Sequence, residues 1–364
     1  MTNAELGLLA QNKFASTLID GVSREMKVFA ALVAAGVQGF TGTQYDSLVI
    51  AGDPTASRFL RRGEGYTSGR RTFAKGKVNA SRIGFMIDEP VSVTDEWNRA
   101  AAAAGIQGAD WLTQAAQGQF ASHIAYLEQQ FFTGTTNDTL GFLGLKEICS
   151  YTSANVLAYA SEERPEAATV PYAKSVINAG GSAANTAGNI YLVRLGADGV
   201  KLRIGGENGI AGFLQMSPVT RQYQADSGDA TRQQEYYKAH CEGYVGLDVM
   251  GSSESYTDRT IPNFVVRRIA NVTADSGKGC TEALLDYALE SFPDGKEPNI
   301  IFMDKRSQRQ LRTSKASSAT QFLAGPWAQA SNGVATLSLP LPEAHRGIPI
   351  IATRRITSTQ AIES

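Results

Sequence analysis

A chain of 364 residues with 43% hydrophobic residues is long enough for a substantial core and more than one lobe, and a mean hydropathy of −0.18 marks a soluble globular protein. Its 34 basic and 35 acidic residues leave a net charge of −1, which argues against indiscriminate adhesion to nucleic acid. No apolar run reaches the roughly 18 residues of a membrane-spanning helix. The opening MTNAELGLLAQNK has Asn, Glu and Gln where a secretion signal has a basic start and an apolar stretch, so no signal peptide is expected. Cys149, Cys241 and Cys280 are scattered without C-x-x-C spacing, which predicts reduced thiols in place of a disulfide framework or a zinc site.

In chain order, Ser16 to Ala35 predicts an amphipathic helix through Leu18, Val22, Met26, Phe29 and Val33. Arg58 to Met86 then carries Arg58, Arg61, Arg62, Arg70, Arg71, Lys75, Lys77 and Arg82 against the single acid Glu64, a local balance of +7 that leaves −8 for everything else. Gly, Ser and Thr run through this stretch and apolar residues are few, so it predicts an extended arm or hairpin projecting from the body. A basic projection on an otherwise acidic protein suits docking on another copy, an association steered by charge and sensitive to salt. IGFMIDEPVSVTDEW closes the projection with strand-like alternation and an acidic end at Asp88, Glu89, Asp95 and Glu96, and Ala100–Ala104 leads into the next element.

That element is the most informative in the chain. Leu112, Ala116, Phe120, Ile124, Leu127 and Phe131 recur every three or four residues and fall on one helical stripe. Proline is absent from Gly105 to Phe132, and Thr133-Gly134 supplies a stop. About 25 residues at ~1.5 Å each give a rod of about 40 Å, longer than an ordinary domain's helix. Its apolar stripe must lie against something extended. Beyond it the pattern is α+β. NIYLVRLG (Asn189–Gly196), GVKLRIGG and EGYVGLDVMG predict strands, with a turn at Ala197-Asp198-Gly199. TEALLDYALESF predicts a helix with Thr281 as N-cap, followed by the buried strand NIIFM, a helix over DKRSQRQLR, and paired strands in Gly347–Ile362.

Nothing in the sequence points to catalysis. His123, His240 and His345 have no metal-ligand spacing to one another or to Cys and carboxylates, so neither a metal site nor a cofactor is expected. His123 lies within the long helix and reads as an edge or packing residue. His240 and Cys241 are chain neighbours, and on a strand they point to opposite faces, which rules out a shared nucleophilic site. ADSGKGC (Ala274–Cys280) fails as a phosphate loop, because Lys278 is followed by Gly279 and Val272 stands at the first glycine position. GGENGIAG (Gly205–Gly212) lacks the dinucleotide-binding register and reads as a turn. No G-x-S-x-G elbow occurs, so the chain is read as a non-enzyme.

The order of parts, with LEQQFFTG and LGFLGLKEI, Tyr244–Val272 (YVGLDVMGSSESYTDRTIPNFVVRRIANV), Asn299–Arg312 and the tail GIPIIATRRITSTQAI, resembles the major capsid proteins of tailed bacteriophages. The resemblance covers most of the chain and is weakest over residues 1–50 and 150–185. It implies the Hong Kong-type α+β capsid fold: an N-terminal arm (1–52), an extended loop forming a β-hairpin (53–97), a peripheral domain with a long spine helix (98–145), an axial α+β domain (146–325) and a returning β segment (326–364). It also implies assembly of the chain with itself, as pentamers and hexamers, into an icosahedral shell around packaged double-stranded DNA. Scaffolding, portal and cement proteins are further partners of such a subunit, and a membrane is not. The location implied is the virion, after synthesis in the host bacterial cytoplasm. On this reading the basic residues of 58–82 make inter-subunit contacts and the stripe packs the spine helix.

Two other readings of the same residues stand beside it. A nanocompartment shell enclosing cargo enzymes shares the fold. A nucleic-acid-binding protein using only the basic arm would stack bases on Phe59, Tyr66 and Phe73.

Overall fold

The computed structural model describes residues 26–40, 44–52, 59, 69–103, 111–152, 155–159, 174–205, 215–226, 229–249, 265–293, 295–323 and 341–363. Helix α1 (Lys27–Ala34) and strands β1 (Gln38–Phe40) and β2 (Gln44–Gly52) come first. Strands β3 (Thr72–Asn79) and β4 (Ser81–Pro90) lead into helices α2 (Val91–Ala103) and α3 (Trp111–Thr133), the spine. The short α4 (Leu145–Ile148) precedes β5 (Val156–Ala158), β6 (Val176–Asn178), β7 (Gly188–Val193) and β8 (Val200–Gly205). Then come β9 (Gln215–Met216), β10 (Thr220–Asp226) and the 21-residue β11 (Asp229–Val249). The chain closes through β12 (Val266–Val272), α5 (Glu282–Glu290), β13 (Ile300–Met303), α6 (Lys305–Leu323), β14 (Ala344–His345) and β15 (Ile348–Ala352).

A seven-stranded mixed sheet, ordered β14-β15-β13-β7-β12-β6-β5, holds the main core. Its strands β7 and β13 carry apolar residues on both faces, as a sheet covered on both sides requires. The period of two sorts their side chains. Tyr191, Val193, Ile300 and Phe302 belong to one cluster with Phe131 and Phe132 of the spine and Val28 and Leu32 of α1. Ile190, Leu192, Ile301 and Met303 belong to a second cluster under Leu284, Leu285 and Ala288 of α5 and Leu311 of α6. Both helices start where the sequence predicts. The Thr281 hydroxyl accepts the Leu284 N–H at 3.2 Å, and the Asp304 carboxylate accepts the Ser307 N–H at 3.2 Å.

A six-stranded sheet is built around β11, which pairs with β4 from Tyr236↔Pro90 to Val245↔Ser81, with β8, with β9 and with β10. The β10–β11 ribbon is absent from the sequence reading. Its sequence signal is DSGD at Asp226–Asp229, a run of turn-favouring residue types between two stretches rich in Gln, Tyr and Thr with too little apolar alternation to read as strands.

Several expectations need correction. Asp95 and Glu96 do not end a strand, and Ala100–Ala103 do not lead into the spine. Both lie in α2, whose buried residues Val91, Thr94, Trp97 and Ala101 follow a helical period. The β-branched start VSVT disguises it, and the Thr94 hydroxyl donates back to Pro90 O at 2.9 Å as the helix begins. The described part of the N-terminal helix buries Val28 and Leu32 where Met26, Phe29 and Val33 were expected to lead, while Leu18 and Val22 lie outside the described residues. The tail forms a strand only over Ile348–Ala352. Past it Arg355 and Ile356 turn to separate partners, and Gln360 makes an isolated bridge to Ala187.

Candidate assembly surface

The projection predicted from charge is a β-hairpin, with β2 and β3 antiparallel from Gln44↔Asn79 to Gly52↔Thr72. Its first strand comes from residues that the sequence reading assigned to the arm. Lys75 and Lys77 sit on β3 opposite Leu48 and Asp46. Arg70 and Arg71 are exposed just before that strand, and Phe59 is also exposed. Arg58, Arg61 and Arg62 lie outside the described residues, as does Tyr66. Arg82 sits on β4 and not on the hairpin, and its guanidinium bonds Glu242 of β11, a partner in the same chain. Glu242, hydrogen-bonded and charge-paired to Arg82, has its carboxyl held below the usual range.

The spine divides into two halves. Ile124, Leu127 and Phe131 are buried at 3%, 4% and 1% exposure, as the stripe predicts. Leu112 and Ala116 are only partly buried, and Phe120 is 41% exposed. The lower half lies on the main core. The upper half lies beside β4 and α2, and among the described residues its stripe is left partly uncovered. Its start is fixed by Trp111, whose backbone N–H donates to Asn98 Oδ1 at 3.0 Å and whose indole donates to Glu89 Oε2 at 2.9 Å. The Trp111 ring packs on Trp97 with centroids 5.0 Å apart. His123 meets the Phe85 ring of β4 edge-on at 5.4 Å, and burial lowers its pKa. It is the packing residue its position in the helix predicts.

The elbow after the spine explains its Gly/Thr/Asn composition. Phe131 and Phe132 both pack on Phe302, and Phe132 also on Tyr191. Gln130 is buried and its amide donates to Phe142 O at 2.8 Å, closing the loop back on the helix. The Glu147 carboxylate accepts Thr135 N at 2.9 Å and Gly144 N at 3.1 Å, and also the Thr135 hydroxyl. Gly134 has φ +61°, and a Cβ on Gly144 would collide with Gly134 N. Glycine is required at both places.

Two polar junctions, neither foreseen from sequence, tie the arm and the tail to the body. Glu128 on the spine is 1% exposed, and its Oε1 accepts the N–H groups of Val28 and Phe29, each at 2.9 Å. These are donors at the start of α1, whose own N-cap residue Met26 makes no side-chain bond. Oε2 lies 3.6 Å from Arg355 Nε of the tail, an ion pair beyond hydrogen-bond range. Burial raises the pKa of Glu128 against the opposing pull of the Phe29 N–H and Arg355. At the second junction Arg268 of β12 is 1% exposed and donates to Asn189 Oδ1, Cys149 O and Glu363 Oε1. Lys146 also pairs with Glu363 at 3.1 Å, and Asn271 exchanges bonds with the Glu363 backbone. Burial would raise the Glu363 pKa, but Arg268 and Lys146 outweigh it and hold it below the usual range.

His240 is exposed and Cys241 buried, on opposite faces of β11 as alternation requires. All three cysteines are buried and outside any disulfide, and burial raises the pKa of Cys280 first, with Asp304 adding to it. ADSGKGC is a turn in which the Asp275 carboxylate accepts the N–H groups of Ser182 and Ala183. Most of GGENGIAG lies outside the described residues. Among the described residues no group of three or more His, Cys, Asp or Glu could hold a metal ion.

No family model matches the sequence, and no curated protein does. A chain in the near-atomic structure of bacteriophage Epsilon15 superposes with a TM-score of 0.51 at 14% identity, over 95% of this chain and 90% of that one. A chain of the procapsid of bacteriophage JBD30 gives a TM-score of 0.40 at 11% identity, over 98% and 100% of the two chains. A chain of the capsid of a native GTA particle gives 0.40 at 11%, over 71% and 93%. The Epsilon15 likeness spans nearly all of both chains and establishes the fold, and the chain has the α+β tailed-phage capsid fold that its sequence resembles.

Proposed function

We infer that this chain is the major capsid protein of a tailed bacteriophage, assembling as pentamers and hexamers into an icosahedral shell around double-stranded DNA. The observation that carries this reading is the β2–β3 hairpin, which forms a sheet of its own with two strands among the described residues. A two-stranded ribbon is marginally stable in water unless something covers it. Within the capsid fold a neighbouring copy is the natural cover. The half-exposed stripe through Leu112, Ala116 and Phe120 gives the same argument from the body: an apolar surface that the protomer leaves unfilled.

In this reading residues 1–52 are the arm, 53–97 the loop, 98–145 the peripheral domain, 146–325 the axial domain and 326–364 the returning segment. Arg58, Arg61, Arg62, Arg70, Arg71, Lys75 and Lys77 contact the neighbour, while Arg82 contributes by fixing β4 to β11. The protein works in the virion and has no catalytic role. Reversing Arg61, Arg62, Arg70 and Arg71 to Glu tests it. The protomer is expected to fold with an unchanged circular dichroism spectrum, and assembly to stall at or before capsomers, because like charges then face each other. Raising salt should weaken wild-type assembly and partly relieve the variant, since exposed charges are screened beyond about 8–10 Å. Intact variant shells that have lost only DNA would favour a nucleic-acid arm instead.

A further inference from the structure

Helix α6 carries Lys305, Arg306, Arg309, Arg312 and Lys315 with no acidic residue over its whole length. Arg306 and Lys315 hold the helix to the fold. Arg306 donates to Thr186 O, Ser358 O and Val272 O, and Lys315 lies 3.9 Å from Glu282. Ser307, Gln308 and Leu311 are buried, which turns the opposite ridge outward. On that ridge Lys305 and Arg309 are exposed and Arg312 is partly so, at the i, i+4, i+7 spacing of one helical face. Among the described residues Arg309 and Arg312 have no ion-pair partner. Gln310 bonds Cys280 N and Thr273 O and so brings the exposed Lys278 to one flank. The Thr353 N–H donates to Met303 O, which brings the exposed Arg354 near the helix start.

The surroundings distinguish a nucleic acid from a protein partner. Protein contacts are anchored by aromatic and large apolar side chains that are desolvated on docking. No large apolar side chain is exposed on this ridge or on Lys278 and Arg354 beside it, among the described residues. What it offers is a row of cations with Thr313 among them, the residue types that meet phosphate oxygens without reading sequence. We propose that the ridge of Lys305, Arg309 and Arg312 contacts the phosphate backbone of duplex DNA, and that α6 therefore faces the lumen of the shell. The placement rests on the shell reading above; the DNA contact does not. Three cations over about 10 Å of helix hold DNA only loosely per subunit, and the contact is repeated on every copy of the shell.

The test measures binding of a labelled duplex of about 20 base pairs to purified wild-type protein, Arg309→Gln, and Arg309→Gln/Arg312→Gln, between about 50 and 200 mM salt. Each lost phosphate contact should flatten the dependence of log affinity on log salt by about 0.9, so the single and double variants should be shallower by about 1 and 2. Circular dichroism and electron microscopy of the same samples report folding and shell formation. Unchanged slopes in Arg309→Gln, whose exposed side chain leaves the fold intact, would overturn the proposal. So would normal DNA binding with lost assembly, which would make the ridge a docking site for an acidic protein surface. Flattened slopes with intact shells support it. Flattened slopes in the variants, with a wild-type protein that forms no shells, would leave the DNA contact standing and remove the shell reading.

Discussion

Replacing Glu128 separates two roles that a buried carboxylate can play, as a hydrogen-bond acceptor and as a charge. Its Oε1 satisfies two backbone donors of α1, an eight-residue helix too short to persist alone. Glu128→Ala leaves both N–H groups unpaired, at about 1–3 kcal/mol each, and so costs about 2–6 kcal/mol. Glu128→Gln keeps an acceptor at the same place and removes the charge. Burial raises the Glu128 pKa, so folding penalises the charged carboxylate relative to the unfolded chain, and loss of the charge should change stability by less than about 1 kcal/mol. The sign in pH follows. A folded pKa above the unfolded one gives a contribution that is full below the unfolded value and is lost as pH rises through the folded value. The stability of wild type minus Glu128→Gln should therefore decline as pH rises through and above the ordinary glutamate range. Urea unfolding of the three proteins between pH 4 and 8, with hydrogen exchange of the Lys27–Ala34 amides, reads both effects. Exchange in α1 should accelerate strongly in the alanine variant and little in the glutamine variant. Equal damage from both substitutions would refute the reasoning, because it would make the charge itself the anchor.

The two halves of the spine should respond differently to the same substitution. Ile124→Asp buries an unpaired charge at a cost of several kcal/mol and should give insoluble protomer, whereas Phe120→Asp should fold and fail to assemble; soluble, assembling Ile124→Asp would show that the stripe is not buried. Glu363→Gln removes the carboxylate partner of buried Arg268 and should cost about 3 kcal/mol near neutral pH in urea unfolding. The Glu363 pKa is lowered in the fold, so this contribution is present above the ordinary glutamate range and lost as pH falls through the folded value. The two proteins should converge in acid, and a gap that stays constant with pH would contradict the ion-pair account.

The sequence is legible where periodicity and chemistry coincide. Strands NIYLV and NIIFM, the Thr281-capped helix and the lower spine were readable because a covered sheet and an amphipathic helix leave simple apolar patterns. The hairpin was readable from charge and from lack of core residues. What stayed hidden depends on partners far away in sequence. Glu128 sits 100 residues from Val28, and Glu363 lies 95 from Arg268, so neither junction has a local signature. Ile83, Phe85 and Ile87 alternate with exposed Arg82 and Met86, and their strand was legible, but of its partner β11 only the C-terminal part in EGYVGLDVMG was, and the stretch from Asp229 to Cys241 was not. For the upper spine, periodicity gives the apolar face of a helix without saying whether its own chain or a neighbour covers it.

The central claim is that this protomer is incomplete alone and finishes its surfaces on identical neighbours. Negative-stain electron microscopy of the purified protein, at high concentration over a range of salt and with any cognate scaffold supplied, tests it most directly. Closed shells of uniform size with pentameric and hexameric capsomers are expected, formed without metal or nucleotide. Monodisperse monomers under all of those conditions would contradict it.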